Sequence, residues 1–272
     1  MDDLNSPYAT LVTISPALTF FHNANNHEST PAVQAPFNKL LLEGAIRKAA
    51  KRRGIKKKAS TLSRDKVCSI LTETFWPTSQ TSTPNSSLWA WRTGTRLYTY
   101  YRTLCRFDCY SKLQPKHFEF QEDCVVVTFI SAKNDQLYNG SLSFIAKKPG
   151  DLLCPAVVYR TYFNIMRLQA NDSLAFLNCR IRTFKGVTTS KTHEPLSYTS
   201  SLQDTKKLLA SHGLVGTFGE KSFKASGVST ALDEGVELAD LMCYGRWRSL
   251  ETPLHYHDSS KRRRLAVSRV LS

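Results

Sequence analysis

Residues 47–58 carry eight cations and no acid: Arg47, Lys48, Lys51, Arg52, Arg53, Lys56, Lys57 and Lys58. Charges of one sign at this density repel one another and attract a polyanion. The stretch is therefore read as a phosphate-contacting strap in preference to a solvated tether, and as a nuclear import signal if the host is eukaryotic. A second concentration of reactive types lies in the last third, in Lys221-Ser-Phe-Lys224, then Gly245-Arg-Trp247, then Tyr256. Lysine and arginine neutralise anions, and a phenol can attack, pack or cap. Cysteine chemistry is less promising. The seven Cys, at 68, 105, 109, 124, 154, 179 and 243, are odd in number and hold no Cys-x-x-Cys pair. No His joins them at zinc-finger spacing, so a reduced compartment is expected, with no metal centre and no cofactor.

The whole chain supports the same reading. It has 272 residues, a formal charge of +15 and 41% hydrophobic residues, enough for a packed core. Such a charge favours DNA, RNA or an acidic membrane face as partner. Met1-Asp2-Asp3 is acidic, unlike a secretory signal, and no apolar run is long enough to span a bilayer. An intracellular protein without a membrane partner is expected.

These residues need elements to hold them. Leu42, Ala45, Ile46 and Ala49 repeat at helical spacing, and Gly54 ends that helix. Ser63 and Asp65 open a second helix with Val67, Ile70 and Leu71 on its buried stripe. Trp76-Pro77 and the Ser/Thr-rich run to Ser87 predict a loop. Residues 88–113, rich in aromatics, predict a helix. Residues 124–130 and 142–146 predict two antiparallel strands, with Asn139-Gly140 marking the turn between them. Pro155 opens a helix to about Met166, and further helices are predicted over 202–210 and 223–234, stopped by Gly213 and Gly235. The expected fold is α+β, mainly helical, with a small antiparallel sheet near its middle.

The stretch from Lys221 to Tyr256 resembles the C-terminal signature of the tyrosine recombinases, the phage-integrase family. That signature has a His-or-Lys-x-x-Arg pair opening a helix, a Gly-centred turn bearing His or Trp, and a Tyr nine residues later. Trp247 and Tyr256 have that separation. Gly-Arg-Trp-x-Ser and the tail 258–269 are similar to the eukaryotic, mobile-element-derived branch. Upstream, Thr103-Leu-Cys-Arg106-Phe-Asp108 resembles the segment with the family's first catalytic Arg, and Ser131-Ala-Lys133 the hairpin with its catalytic Lys. Leu42-Glu-Gly44-Ala-Ile-Arg47 resembles the end of its helical core-binding domain. The resemblance implies a partial core-binding region and basic linker over 1–58 and a catalytic domain over 59–272.

It also implies roles. Tyr256 attacks a DNA phosphodiester, and Arg106 and Lys224 clamp the phosphate. Lys133 protonates the leaving 5′ oxygen, while Lys221 and Trp247 bond or pack around the scissile group. Double-stranded DNA is the expected partner, with self-association into a dimer or tetramer on it. The function implied is strand breakage and rejoining through a covalent phosphotyrosine, in recombination or integration. The alternative is a degenerate relative that binds DNA without cutting it. Two departures from the family pattern favour that alternative: Lys224 stands where a second Arg is usual, and Cys109 where an acid usually braces Arg106. The segment before the linker is also short for a clamp that encircles DNA. Plainer roles stand beside each assignment. Arg106 can pair with Asp108, Lys147 and Lys148 rival Lys133, Trp247 can anchor a core, and Arg246 or Arg248 can substitute for Lys224.

Overall fold

The computed structural model describes residues 19, 43–46, 48, 60–77, 84–130, 140–185, 187–256 and 268–269. The chain divides into two compact units, Met1–Lys58 and Ala59–Ser272. In the first, residues 43–46 and 48 have helical backbone and Lys48 is exposed. Arg47, Lys51, Arg52, Arg53, Lys56, Lys57 and Lys58 lie outside the described residues.

The second unit is mainly helical, with small antiparallel sheets. Helix α1, Arg64–Phe75, starts where Ser63 accepts a hydrogen bond from the Lys66 amide and buries Val67, Ile70 and Leu71. It packs on α2, Pro84–Thr103, the central helix, in which every residue from Trp91 to Tyr100 is buried. Gly94 permits the contact, because a Cβ there would stand 2.7 Å from the Phe75 ring. Helix α2 begins at Pro84, inside the stretch read as loop. It ends at Thr103, ten residues before the predicted helix end at Leu113. Leu104 then takes a left-handed conformation, φ 54°, and a short helix α3, Phe107–Tyr110, follows.

Strands β1 (Phe118–Phe120), β2 (Cys124–Phe129) and β3 (Ser141–Ala146) form an antiparallel sheet in that order, with Phe129 opposite Ser141. The β2–β3 pair is the hairpin the sequence predicted. Gly140, φ 72°, enters β3, and residues 131–139 lie outside the described part. Helix α4, Pro155–Met166, covers the sheet with Val158, Tyr159 and Tyr162. A two-stranded ribbon absent from the sequence reading follows, β4 (Cys179–Phe184) with β5 (Val187–Pro195). Helices α5 (Tyr198–Ser211), α6 (Glu220–Asp233), α7 (Leu238–Gly245) and α8 (Glu251–Tyr256) complete the order.

Buried charge fastens α2 to its neighbours. Arg96, fully buried, donates to Asn178 Oδ1 at 3.0 Å, the Ser201 carbonyl at 2.6 Å and Thr205 Oγ1 at 3.0 Å. Its Nε lies 3.2 Å from the Glu220 carboxylate, whose affinity for a proton burial raises. Arg92 reaches Asp204 at 2.5 Å and the Cys179 carbonyl at 3.0 Å. Breaking such a pair on one side strands a charge in a poor solvent and typically costs about 3–5 kcal/mol. The first residue of α6 is thereby fixed on α2, one turn before Lys224.

Candidate active site

The end of α2 and the second turn of α6 touch. Gly227 makes the approach possible, since a Cβ there would stand 2.5 Å from the Tyr101 carbonyl oxygen and 2.7 Å from Leu104 Cδ2. The left-handed Leu104 turns the chain out of α2 and plants its side chain among Val228, Leu241 and Trp247. Two residues on, Arg106 sits half-buried in extended backbone at the start of α3.

Lys224 is 6% exposed. Its Nζ lies 5.2 Å from the centroid of the Trp247 ring, a cation–π contact. Burial lowers its amine from 10.5 to about 8, and repulsion from Arg106 and Arg246 adds to this against the opposing Cys105 and Cys109 thiols. Arg106 and Arg246, from two distant stretches, therefore both bear on Lys224. Both thiols are buried, and burial pushes Cys105 up to about 12, so it is un-ionised at neutral pH.

Arg246 follows α7 with φ 57°, closing that helix in the left-handed conformation. Its guanidinium donates to Ser143 Oγ on β3 and, at 2.6 Å, to the Thr103 carbonyl at the end of α2. It also lies 4.7 Å from the centre of the Phe129 ring on β2. One side chain thus fastens the loop-proximal half of the β2–β3 hairpin to the turn that carries Arg106. Trp247 comes next, 7% exposed, with its ring flat on Gly245; a Cβ at 245 would stand 2.4 Å from the ring. Trp247 is both core anchor and cation platform.

The remaining candidates divide. Lys221 is exposed on α6, one turn before Lys224, and Arg248 is exposed. Lys133 lies outside the described residues. Its rivals are engaged elsewhere: Lys147 Nζ donates to the Gln121 and Glu122 carbonyls, and Lys148 pairs with Asp151 at 3.1 Å. The backbone of Tyr256 closes α8, which packs on α6 and α7, while its side chain lies outside the described part. Among the described residues no group of His, Cys, Asp or Glu is arranged to hold a metal, and no helix is long and apolar enough to cross a membrane.

Comparison with solved structures places this architecture. The XerH site-specific recombinase in a post-cleavage complex with its difH substrate superposes with a TM-score of 0.56 at 15% identity. The match covers 79% of this chain and 54% of that one, so the chain spans about half its length. The Tn1549 transposon integrase bound to circular intermediate DNA gives 0.54 at 11% identity over 97% of this chain and 80% of that one. The XerA recombinase gives 0.52 at 12% identity over 94% and 81%. The fold is that of the tyrosine recombinases. No family model and no curated protein matches the sequence. Within this recombinase fold, the sequence reading named Arg106, Lys224 and Trp247, which converge, and offered Arg246 only as a substitute for Lys224. Its structural role was signalled only by its place between a helix end and Trp247.

Proposed function

We propose that the chain breaks and rejoins double-stranded DNA as a tyrosine recombinase, in integration or recombination of a mobile element. The observation that carries this is the crowding of Arg106 and Arg246, both half-buried, on the buried Lys224. Like charges held together in low dielectric destabilise the free protein and favour an anion. A phosphodiester under attack is an anion whose non-bridging oxygens gain charge in the transition state. Preorganised cations lower that barrier without a metal.

In this reading the Tyr256 hydroxyl attacks the phosphorus, the 5′ oxygen leaves with a proton, and a phosphotyrosine remains. Bond energy is conserved, so a second sugar hydroxyl reverses the step on another strand. Arg106 grips two phosphate oxygens. Lys224 supplies a point charge, and Lys221 at the exposed turn of α6 reaches the flanking backbone. Lys133, in the β2–β3 connection, is the leaving-group acid. The basic strap 47–58 holds the duplex, region 1–58 serves as a partial core-binding segment, and copies associate on paired sites. The import-like strap and the Gly-Arg-Trp-x-Ser signature support a eukaryotic mobile-element origin and a nuclear location.

The test is incubation with a nicked suicide duplex followed by a denaturing gel. A covalent band that disappears in Tyr256→Phe, with duplex binding unchanged within about twofold, is expected. Salt-sensitive binding without a band would instead establish the second reading, a DNA binder that does not cut. Lys224 favours that reading, because an ammonium cannot make the two-pronged contact of a guanidinium and burial weakens its hold on a proton.

A further inference from the structure

The β4–β5 ribbon carries a charge pattern that works against its own folding. Antiparallel partners share a face, and one face holds Arg180 opposite Lys191, Arg182 opposite Thr189, and Phe184 opposite Val187. All six are exposed, Phe184 at 74%. Directly opposed like charges destabilise a strand pair, and a two-stranded ribbon is marginal to begin with. Glu194 meets Arg182 at 2.6 Å and Asp172 meets His193 at 2.6 Å, both in solvent-exposed contacts of little strength. At the tip, Lys185 lies 5.6 Å from the centre of the Phe184 ring, adding a fourth cation.

The ribbon is held at its root and middle. The Cys179 carbonyl accepts from Arg92 at 3.0 Å, the Phe176 amide donates to the Thr192 carbonyl at 2.8 Å, and Ser190 Oγ donates to the Met166 carbonyl at 2.7 Å. Three residues after β5 ends at Pro195, Tyr198 packs its ring on Phe107 at 5.1 Å, next to Arg106 in the chain. The ribbon's root is thus tied by one ring contact to the turn that carries Arg106. A two-stranded ribbon has the width of a duplex major groove, and its outward arginines and lysine match the flanking phosphates in charge.

We infer that this ribbon is a second duplex-contacting surface, with Arg180, Arg182 and Lys191 on DNA phosphates beside the one at Arg106. The inference rests on the DNA reading above. The full chain is titrated against a fluorescent duplex at several salt concentrations. Arg180→Gln/Arg182→Gln/Lys191→Gln is compared with Lys66→Gln/Lys116→Gln/Lys206→Gln, which removes equal charge from exposed positions elsewhere. Three lost phosphate contacts reduce the slope of log affinity against log salt by about 2.7 and weaken binding at about 0.1 M salt at least a hundredfold. The control should move the slope by less than about one. The ribbon variant should also melt no lower than the parent, since repulsion is relieved. Equal slopes for the two triples, or a lower melting temperature for the ribbon variant alone, overturns the inference. A parent protein with no salt-dependent duplex binding overturns the DNA reading itself, and this one with it.

Discussion

Replacing Lys224 by methionine should make the protein more stable and less able to hold a phosphate. The folded chain keeps a proton on Lys224 only up to about pH 8, whereas an ordinary lysine keeps it to 10.5. Below pH 8 both states are protonated, and the folded state bears the penalty of a buried ammonium. Between pH 8 and 10.5 the folded state has released the proton and the unfolded state has not, so stability rises with pH across that window. The gap between the two values, at about 1.4 kcal/mol per pH unit, is about 3 kcal/mol. Methionine has nearly the same volume and no charge, so Lys224→Met recovers up to that amount at pH 7. For a domain of this size that is a rise in melting temperature of roughly 6–12 °C at the full value. By pH 10.5 the difference should largely vanish. Covalent-complex formation on the suicide duplex should fall about a hundredfold, the usual loss when one transition-state donor is removed. Lys224→Arg should instead raise cleavage and flatten its decline between pH 7 and 9. A methionine variant that melts lower than the parent at pH 7, or whose advantage persists at pH 10.5, refutes the account.

Two further substitutions probe the same site. Gly245→Ala places a Cβ 2.4 Å from the Trp247 ring; the ring must leave Lys224, costing about 1–3 kcal/mol in urea denaturation and reducing cleavage. Arg246→Lys keeps the charge and loses the fork that reaches both Ser143 and Thr103. It should cost about 2 kcal/mol and slow cleavage more than it weakens duplex binding, and unchanged cleavage would show that the fork does not hold the hairpin to the Arg106 turn.

What was legible in the sequence was local. Ser63 caps α1 because its hydroxyl reaches the Lys66 amide three residues on, a feature independent of the rest of the fold. Pro155 opens α4, and Gly213 and Gly235, at φ 74° and 83°, end the helices they were read to end. The break after Thr103 was not legible. Leu104 carries no turn signature, and its left-handed backbone is held by packing against Val228, Leu241 and Trp247 from over a hundred residues away. The β4–β5 ribbon escaped notice because its strands are mostly solvated on both faces and show little apolar alternation. At the candidate site, residue order named Lys224 and Trp247, which lie in contact, and Arg106, whose charge acts on Lys224. The burial of Lys224 was hidden because α6 buries a continuous run from Ser222 to Val228, polar residues included, and so lacks the stripe that marks an inward face.

Two cations buried in one fold, Arg96 and Lys224, meet very different surroundings. Arg96 is answered by Glu220, an asparagine, a threonine and a carbonyl, all on elements it must hold together. Such a guanidinium is compensated within the protein, and a ligand has nothing to add. At Lys224 the guanidiniums of Arg106 and Arg246 repel the ammonium, which lies over the face of an indole. An indole face softens a cation without neutralising it, and the flanking thiol of Cys105 stays protonated at neutral pH. Around Lys224 the repulsion of Arg106 and Arg246 adds to the cost of burying its charge. Positive potential retained in a site of low dielectric is what a phosphate entering it would use, and the instability it imposes on the free protein is the quantity that Lys224→Met measures.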